Sequence, residues 1–243
     1  MKGAHMINPE LLWDGGKNAP LVFLIPGGTG TRRPTFRGYE STASYFWLHG
    51  FSCYIDETAG QDGREGVFSM ERCLDESREK LSQLQTLLSP SRTILFASCS
   101  GGTIAAYLAA EFQNVHSLIL WETMPRYLPL VREWFMGRAK DSGVSLSENF
   151  LGEYIETADV TSKVRCPVLV MYGDGSDPVV VTEEEVKIVA ESLTHAKSVE
   201  LFKISGADHN VPRGSSAKLL NDLLEKAMLF IQQVDTFREA PLS

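Results

Sequence analysis

Short apolar runs punctuate this chain, and longer stretches with helical periodicity lie between them. "LVFLI" (21–25), "FSCYI" (51–55), "TILFA" (93–97), "SLILW" (117–121), "PVLVMY" (167–172) and "SVELFKI" (198–204) have the length and apolar content of strands. The middle four alternate too little for a strand with one wet face, which predicts a sheet covered on both sides. Between them, residues 70–88, 101–112, 182–193 and 216–234 repeat apolar positions at spacings of three and four, the mark of amphipathic helices. Thr182 followed by Glu185 has the spacing of a capping box, and Pro90 stops the first of these helices. Strands alternating with helices predict an α/β fold: a mostly parallel central sheet with helices on both faces.

One connection departs from the rhythm. About 40 residues separate "SLILW" from "CPVLVMY", far more than a usual loop. They include "PLVREWFMGRA" and "LSENFLGEYIETA", both amphipathic. The expectation is a short helical cap insertion over residues 124–160, with core segments 7–123 and 161–238 on either side. Trp134, Phe135, Met136, Phe150 and Tyr154 would line its inner face, and four of these (Trp134, Phe135, Phe150 and Tyr154) are the expected substrate contacts. Two ordinary core helices would fit the same pattern. Residues 1–6 contain "GAHM", read as an expression scar and set aside.

Charge narrows the partners. The net charge is −8, and no run of Lys and Arg interrupts it. An anionic surface repels phosphate backbones and acidic lipid, so neither nucleic acid nor a membrane surface is an expected partner. With no apolar stretch near the roughly 20 residues of a membrane span and no signal peptide, the expected location is the cytoplasm. The four cysteines form no CxxC pair and no metal-binding spacing with histidine, so neither a metal nor a cofactor is expected. Cys53, Cys73 and Cys166 read as small buried hydrophobes. Cys99 stands elsewhere, at the end of a strand.

In a parallel α/β sheet, ligands bind beyond the carboxyl ends of the strands. The residues that follow the apolar runs there are "PGGTG" (26–30), "SCSGG" (98–102), "GDGSDPVV" (173–180) and "SGADHNVP" (205–212). One edge of the sheet thus collects two candidate nucleophiles, three aspartates and a histidine.

With these residues in view, the chain resembles the α/β-hydrolase superfamily from about residue 20 to the C-terminal helix. In that superfamily a nucleophile sits on a strand-to-helix turn of the form small-x-nucleophile-x-small, followed in chain order by acid and histidine. Aligning the family's paired glycines with Gly101 and Gly102 puts Cys99 at the attacking position, flanked by Ala97 and Gly101. Ser100, flanked by Ser98 and Gly102, is the alternative and requires a one-residue slip. Cysteine for serine and alanine for the first glycine are departures from the usual run. The resemblance implies His209 as general base, with Asp208 where the family often has glycine. It implies Asp177 as the acid, ahead of Pro178 and Val179, with Asp174 as the fallback. It also implies an oxyanion hole from the amides of Ser100 and Gly28, the latter in a loop like the family's HGGPG segment with Pro26 replacing histidine. A phosphate cradle in "GGTGT" is the competing reading of that loop, which lacks a P-loop's lysine and spacing.

A cysteine at this position suits an ester, lactone or thioester substrate with a moderately apolar acyl part, attacked to form a thioester acyl-enzyme. The expected partner is therefore a small acyl substrate. Arg32, Arg33 and Arg37 could meet the phosphates of a CoA- or carrier-linked donor, or form only a solvated basic patch. Release to an amine or hydroxyl, as an acyltransferase or cyclase does, is the alternative to hydrolysis. A C–C lyase and a non-catalytic receptor are the readings from other classes.

Overall fold

The computed structural model describes residues 7–27, 36–57, 67–123, 145–148, 160–175 and 181–239. Its main sheet has seven strands: β1 (Leu12–Trp13), β2 (Leu21–Ile25), β3 (Ser52–Ile55), β5 (Thr93–Ser98), β6 (Val115–Trp121), β8 (Val168–Gly173) and β9 (Val199–Ile204). The spatial order is β1-β3-β2-β5-β6-β8-β9. Every pairing is parallel except that of β1 with β3. The short strands β4 (Val67–Phe68) and β7 (Ser145–Leu146) form a separate parallel pair. The mostly parallel α/β architecture expected from the sequence is the one observed.

Burial follows from the strand composition. Every residue of β2, β3, β5, β6 and β8 is buried, as continuous Val, Ile, Leu and Phe demand of a sheet covered on two faces. By contrast β9, the edge strand, alternates exposed with partly buried positions. The helices are α1 (Phe36–Leu48), α2 (Met70–Leu88), α3 (Gly101–Glu111), α4 (Glu183–Ser192) and α5 (Ala217–Glu239). The first, α1, is an element the strand-and-helix pattern did not announce.

Chain direction decides where a ligand can bind. From β2 the chain moves through α1 to β3 on one side, then returns through α2 to β5 on the other. Two right-handed crossovers running in opposite senses put α1 and α2 on opposite faces. Accordingly α1 packs with α5, and α2 with α3. The order therefore reverses between β2 and β5, and the reversal opens a crevice at their carboxyl ends. Pro26 and Gly27 leave β2 there, and Cys99 leaves β5 beside them. Among the described residues, no helix is long and apolar enough to cross a membrane.

The expected cap falls almost wholly outside the described residues. That holds for Trp134, Phe135, Met136, Phe150 and Tyr154, as it does for Gly28, Arg32, Arg33 and Asp177. The backbone of Arg37 lies in α1, but its side chain is not among those described.

Candidate active site

The turn after β5 carries a constrained backbone. Cys99 has φ of +50°, a left-handed conformation that costs a residue with a Cβ about 1–3 kcal/mol. Its amide still donates to the carbonyl of Trp121 at 3.0 Å, so the ladder with β6 holds one residue past the strand. Helix α3 then starts at once: Ser100 is already right-handed, and Gly102 N–H donates to the Cys99 carbonyl at 3.1 Å. Two glycines make the turn this tight. A Cβ on Gly101 would overlap the carbonyl oxygen of Ile25, and one on Gly102 would overlap the side chain of Thr123. Of the two candidate nucleophiles, Cys99 occupies the strained apex, and Ser100 stands at the helix start with unstrained right-handed backbone and no side-chain capping bond.

His209 reaches this turn from a loop more than 100 residues later in the chain. Asp208 shapes that loop, accepting from the amide of Asn210 and the hydroxyl of Ser215, each at 2.8 Å. Asp208 thus braces the backbone beside the imidazole. Trp121 Nε1 donates to the His209 carbonyl at 3.3 Å, and Thr42 of α1 donates to the Pro212 carbonyl at 3.0 Å. The ring lies between two partners. Nδ1 is 2.8 Å from Oε2 of Glu122, which leaves Nε2 for its hydrogen bond with Cys99.

Glu122 is the residue that sequence reasoning missed. It follows β6 directly, is fully buried, and has φ of +45°. Its amide donates to the Met171 carbonyl at 2.9 Å, and its Oε1 accepts from Gly173 N–H at 3.1 Å. With Oε1 held by the backbone, Oε2 is aimed at the imidazole. Asp177 lies outside the described residues, and the carboxylate found on Nδ1 is that of Glu122. Asp174 faces elsewhere, accepting from Gly206 N–H at 2.5 Å and pairing with Lys203 at 2.9 Å. Its pKa is lowered, chiefly by the Gly206 amide and then by Lys203. The signal for Glu122 was present in "SLILWET": an acid directly after a buried strand, on the same edge as the other four clusters.

Electrostatics ties the three side chains together. Burial works against a charged imidazole, but the charge and hydrogen bond of Cys99, followed by those of Glu122, outweigh it. His209 is thereby pushed up to about 10. Cys99 is 3% exposed, which keeps water from screening the pair. Among the described residues, no group of three or more His, Cys, Asp or Glu side chains is placed to hold a metal ion.

The other described histidines lie apart from this crevice. His116 is within β6 and faces Asp235 at 3.2 Å, His195 Nδ1 contacts the Ser162 carbonyl, and His49 Nδ1 contacts that of Tyr45.

No family model matches the chain, and no curated protein matches it in sequence. Solved structures do match over almost its full length. DcsB in complex with its substrate analogue aligns with a TM-score of 0.71 at 14% identity, covering 91% of this chain and 92% of that one. A highly thermostable carboxyl esterase from Bacillus coagulans, in complex with glycerol, aligns at 0.70 and 17%, covering 90% and 91%. The α/β hydrolase GrgF from Penicillium sp. sh18 aligns at 0.60 and 15%, covering 88% and 92%. At these identities the likeness concerns architecture, and that architecture is the α/β-hydrolase fold.

Proposed function

We propose that this protein is an acyl-transferring hydrolase that works through an acyl-Cys99 intermediate, with His209 as acid and base and Glu122 as the orienting carboxylate. One observation carries the reading. A cysteine held at positive φ on a strand-to-helix turn is hydrogen-bonded to a histidine whose other nitrogen is fixed by a buried carboxylate. A core cysteine has no need of any of the three features.

The chemistry follows from the ion pair. The Cys99 thiolate attacks the acyl carbonyl carbon, forming a C–S bond and a tetrahedral oxyanion. The amide of Ser100, at the start of α3, and that of Gly28 are the proposed donors to that oxygen. On collapse, the bond to the leaving oxygen or sulfur breaks, and Nε2 of His209 supplies the proton. With the thiolate consumed, His209 loses its strongest charged partner and can act as a base. It then takes a proton from water, or from an amine or hydroxyl acceptor, as that group attacks the thioester. The thiolate departs and the ion pair re-forms. Glu122 holds the ring in one tautomer and stabilises the imidazolium.

The expected substrate is an ester, lactone or thioester with a moderately apolar acyl group, seated against Trp134, Phe135, Phe150 and Tyr154 of the 124–160 segment. A CoA- or carrier-linked donor is within this class. The solved neighbours of the fold include a carboxyl esterase and an enol-lactonase, which supports the same substrate class.

Intact-protein mass spectrometry after brief exposure to a p-nitrophenyl ester tests the proposal. The expected result is one acyl adduct, mapped to Cys99 and lost in Cys99→Ala. An adduct on Ser100 would overturn the assignment of the nucleophile. Turnover unaffected by Cys99→Ala would overturn the covalent mechanism.

A further inference from the structure

A second hydrogen-bond network touches the crevice, and the mechanism above does not use it. Ser98 is the last residue of β5 and directly precedes Cys99. Its hydroxyl is buried and accepts from Gly27 N–H at 3.2 Å. The same oxygen meets the hydroxyl of Tyr39, itself 2% exposed on the inner side of α1. Gly27 lies so close to the turn that a Cβ there would overlap the Cβ of Cys99 and the carbonyl oxygen of Ser98. Three elements, β2, β5 and α1, therefore meet through two hydroxyls and one amide beside the proposed nucleophile.

This has a chemical consequence. Gly27 N–H is spent on Ser98 and is not offered to a substrate oxygen. The second oxyanion donor in the reading proposed above is Gly28, the next residue in the chain. An oxyanion hole works only if its donors are fixed before charge develops, because donors that must reorient lose most of their advantage. Gly27 has no side chain with which to anchor itself, and the run after it is "GTG". Its amide is the handle.

We propose that Ser98 and Tyr39 are positioning residues for oxyanion stabilisation, holding the backbone of Gly27 against Cys99 so that the glycine loop starts from a fixed point. The inference rests on the acyl-Cys99 reading. Tyr39 supports Ser98, and Ser98 holds Gly27. Neither hydroxyl needs to touch the substrate. A hydroxyl at 98 and a tyrosine at 39 are specific to this role, since alanine and phenylalanine would fill the same buried space.

Two reactions of Cys99 separate positioning from general structural support. Acylation by p-nitrophenyl acetate passes through an oxyanion, whereas alkylation by iodoacetamide displaces iodide at a saturated carbon and does not. In Ser98→Ala the acylation rate is expected to fall about tenfold or more, through kcat with KM little changed. Alkylation should stay within about twofold of wild type, because the thiolate and His209 are untouched. Tyr39→Phe should show the same selectivity with a smaller loss, about threefold, and keeps the test available if Ser98→Ala folds poorly. If both rates fall together the network only supports the turn, and if neither falls it does nothing for catalysis; either result overturns the inference. Absence of any Cys99 adduct in the wild type is a different outcome: it removes the acyl-enzyme reading itself, and this inference with it.

Discussion

At the residue scale the candidate site is a run of three side chains, with the imidazole of His209 hydrogen-bonded to Glu122 on one side and Cys99 on the other. Glu122 is buried and ionically paired through His209. Glu122→Gln keeps the shape but removes the charge and can present an N–H to Nδ1, favouring the wrong tautomer. A loss of about 10²–10⁴-fold in kcat is expected, read from steady-state ester hydrolysis. Asp177→Asn, measured beside it, should lose far less; an equal or greater loss would return the acid's role to Asp177. The pH dependence follows from the raised value of His209. Because the imidazolium persists to about 10, Cys99 should be alkylated by iodoacetamide at a nearly constant rate from neutral pH until that range. In His209→Gln the thiolate loses its partner and should appear only near the free-thiol value of about 8.5, so the rate climbs through pH 8–9. Identical profiles in the two proteins would mean the pair does not exist in solution. That Cys99 and His209 share one edge of the sheet was legible in the sequence, because each follows a strand. Glu122 left only a slight trace, an acid directly after a buried strand, because no residue pattern reports the positive φ and full burial that set its carboxylate against the imidazole.

At the scale of elements, readability tracked composition. Residues 70–88 were assigned correctly as α2 because Ser69 caps the start, Leu81 and Leu84 mark the inner face, and Pro90 lies just beyond the end. Helix α1 went unread: "FRGYESTASYFWL" holds five aromatics, two serines, a threonine and a glycine, all weaker helix formers than alanine or leucine. Its buried face is Tyr39, Thr42, Ala43 and Phe46, and tertiary packing rather than propensity makes it helical. Helix α2, by contrast, carries a cost. Lys80 is 2.8 Å from Asp56 at the end of β3, with both side chains almost wholly buried, and Ser77 donates to the same carboxylate. Lys80→Met would strand that carboxylate without a cation and should destabilise the protein by about 3–5 kcal/mol in urea unfolding. Adding Asp56→Leu should restore a large part of the loss, since the pair's attraction mostly repays its own desolvation. A single variant costing under about 1 kcal/mol would show that water reaches the pair.

At the scale of the whole molecule, the reversal of strand order between β2 and β5 brings together residues that are distant in the chain: Gly27, Cys99, Glu122 and His209 all lie at carboxyl ends of the sheet. The same molecule carries a net charge of −8, and that field acts on a charged substrate before a contact forms. It sets two versions of the proposed donor apart. A CoA thioester brings several phosphate charges, whereas an N-acetylcysteamine thioester of the same acyl group brings none. If the global field governs approach, KM for the CoA donor should fall as ionic strength rises toward about 0.15 M, where the screening length shrinks to about 8 Å. KM for the uncharged thioester should stay level over the same range, which controls for salt effects on the fold. A KM for the CoA donor that rises with salt would reverse the conclusion: local attraction by Arg32, Arg33 and Arg37 would then outweigh the net charge, and phosphate recognition would be built into the site.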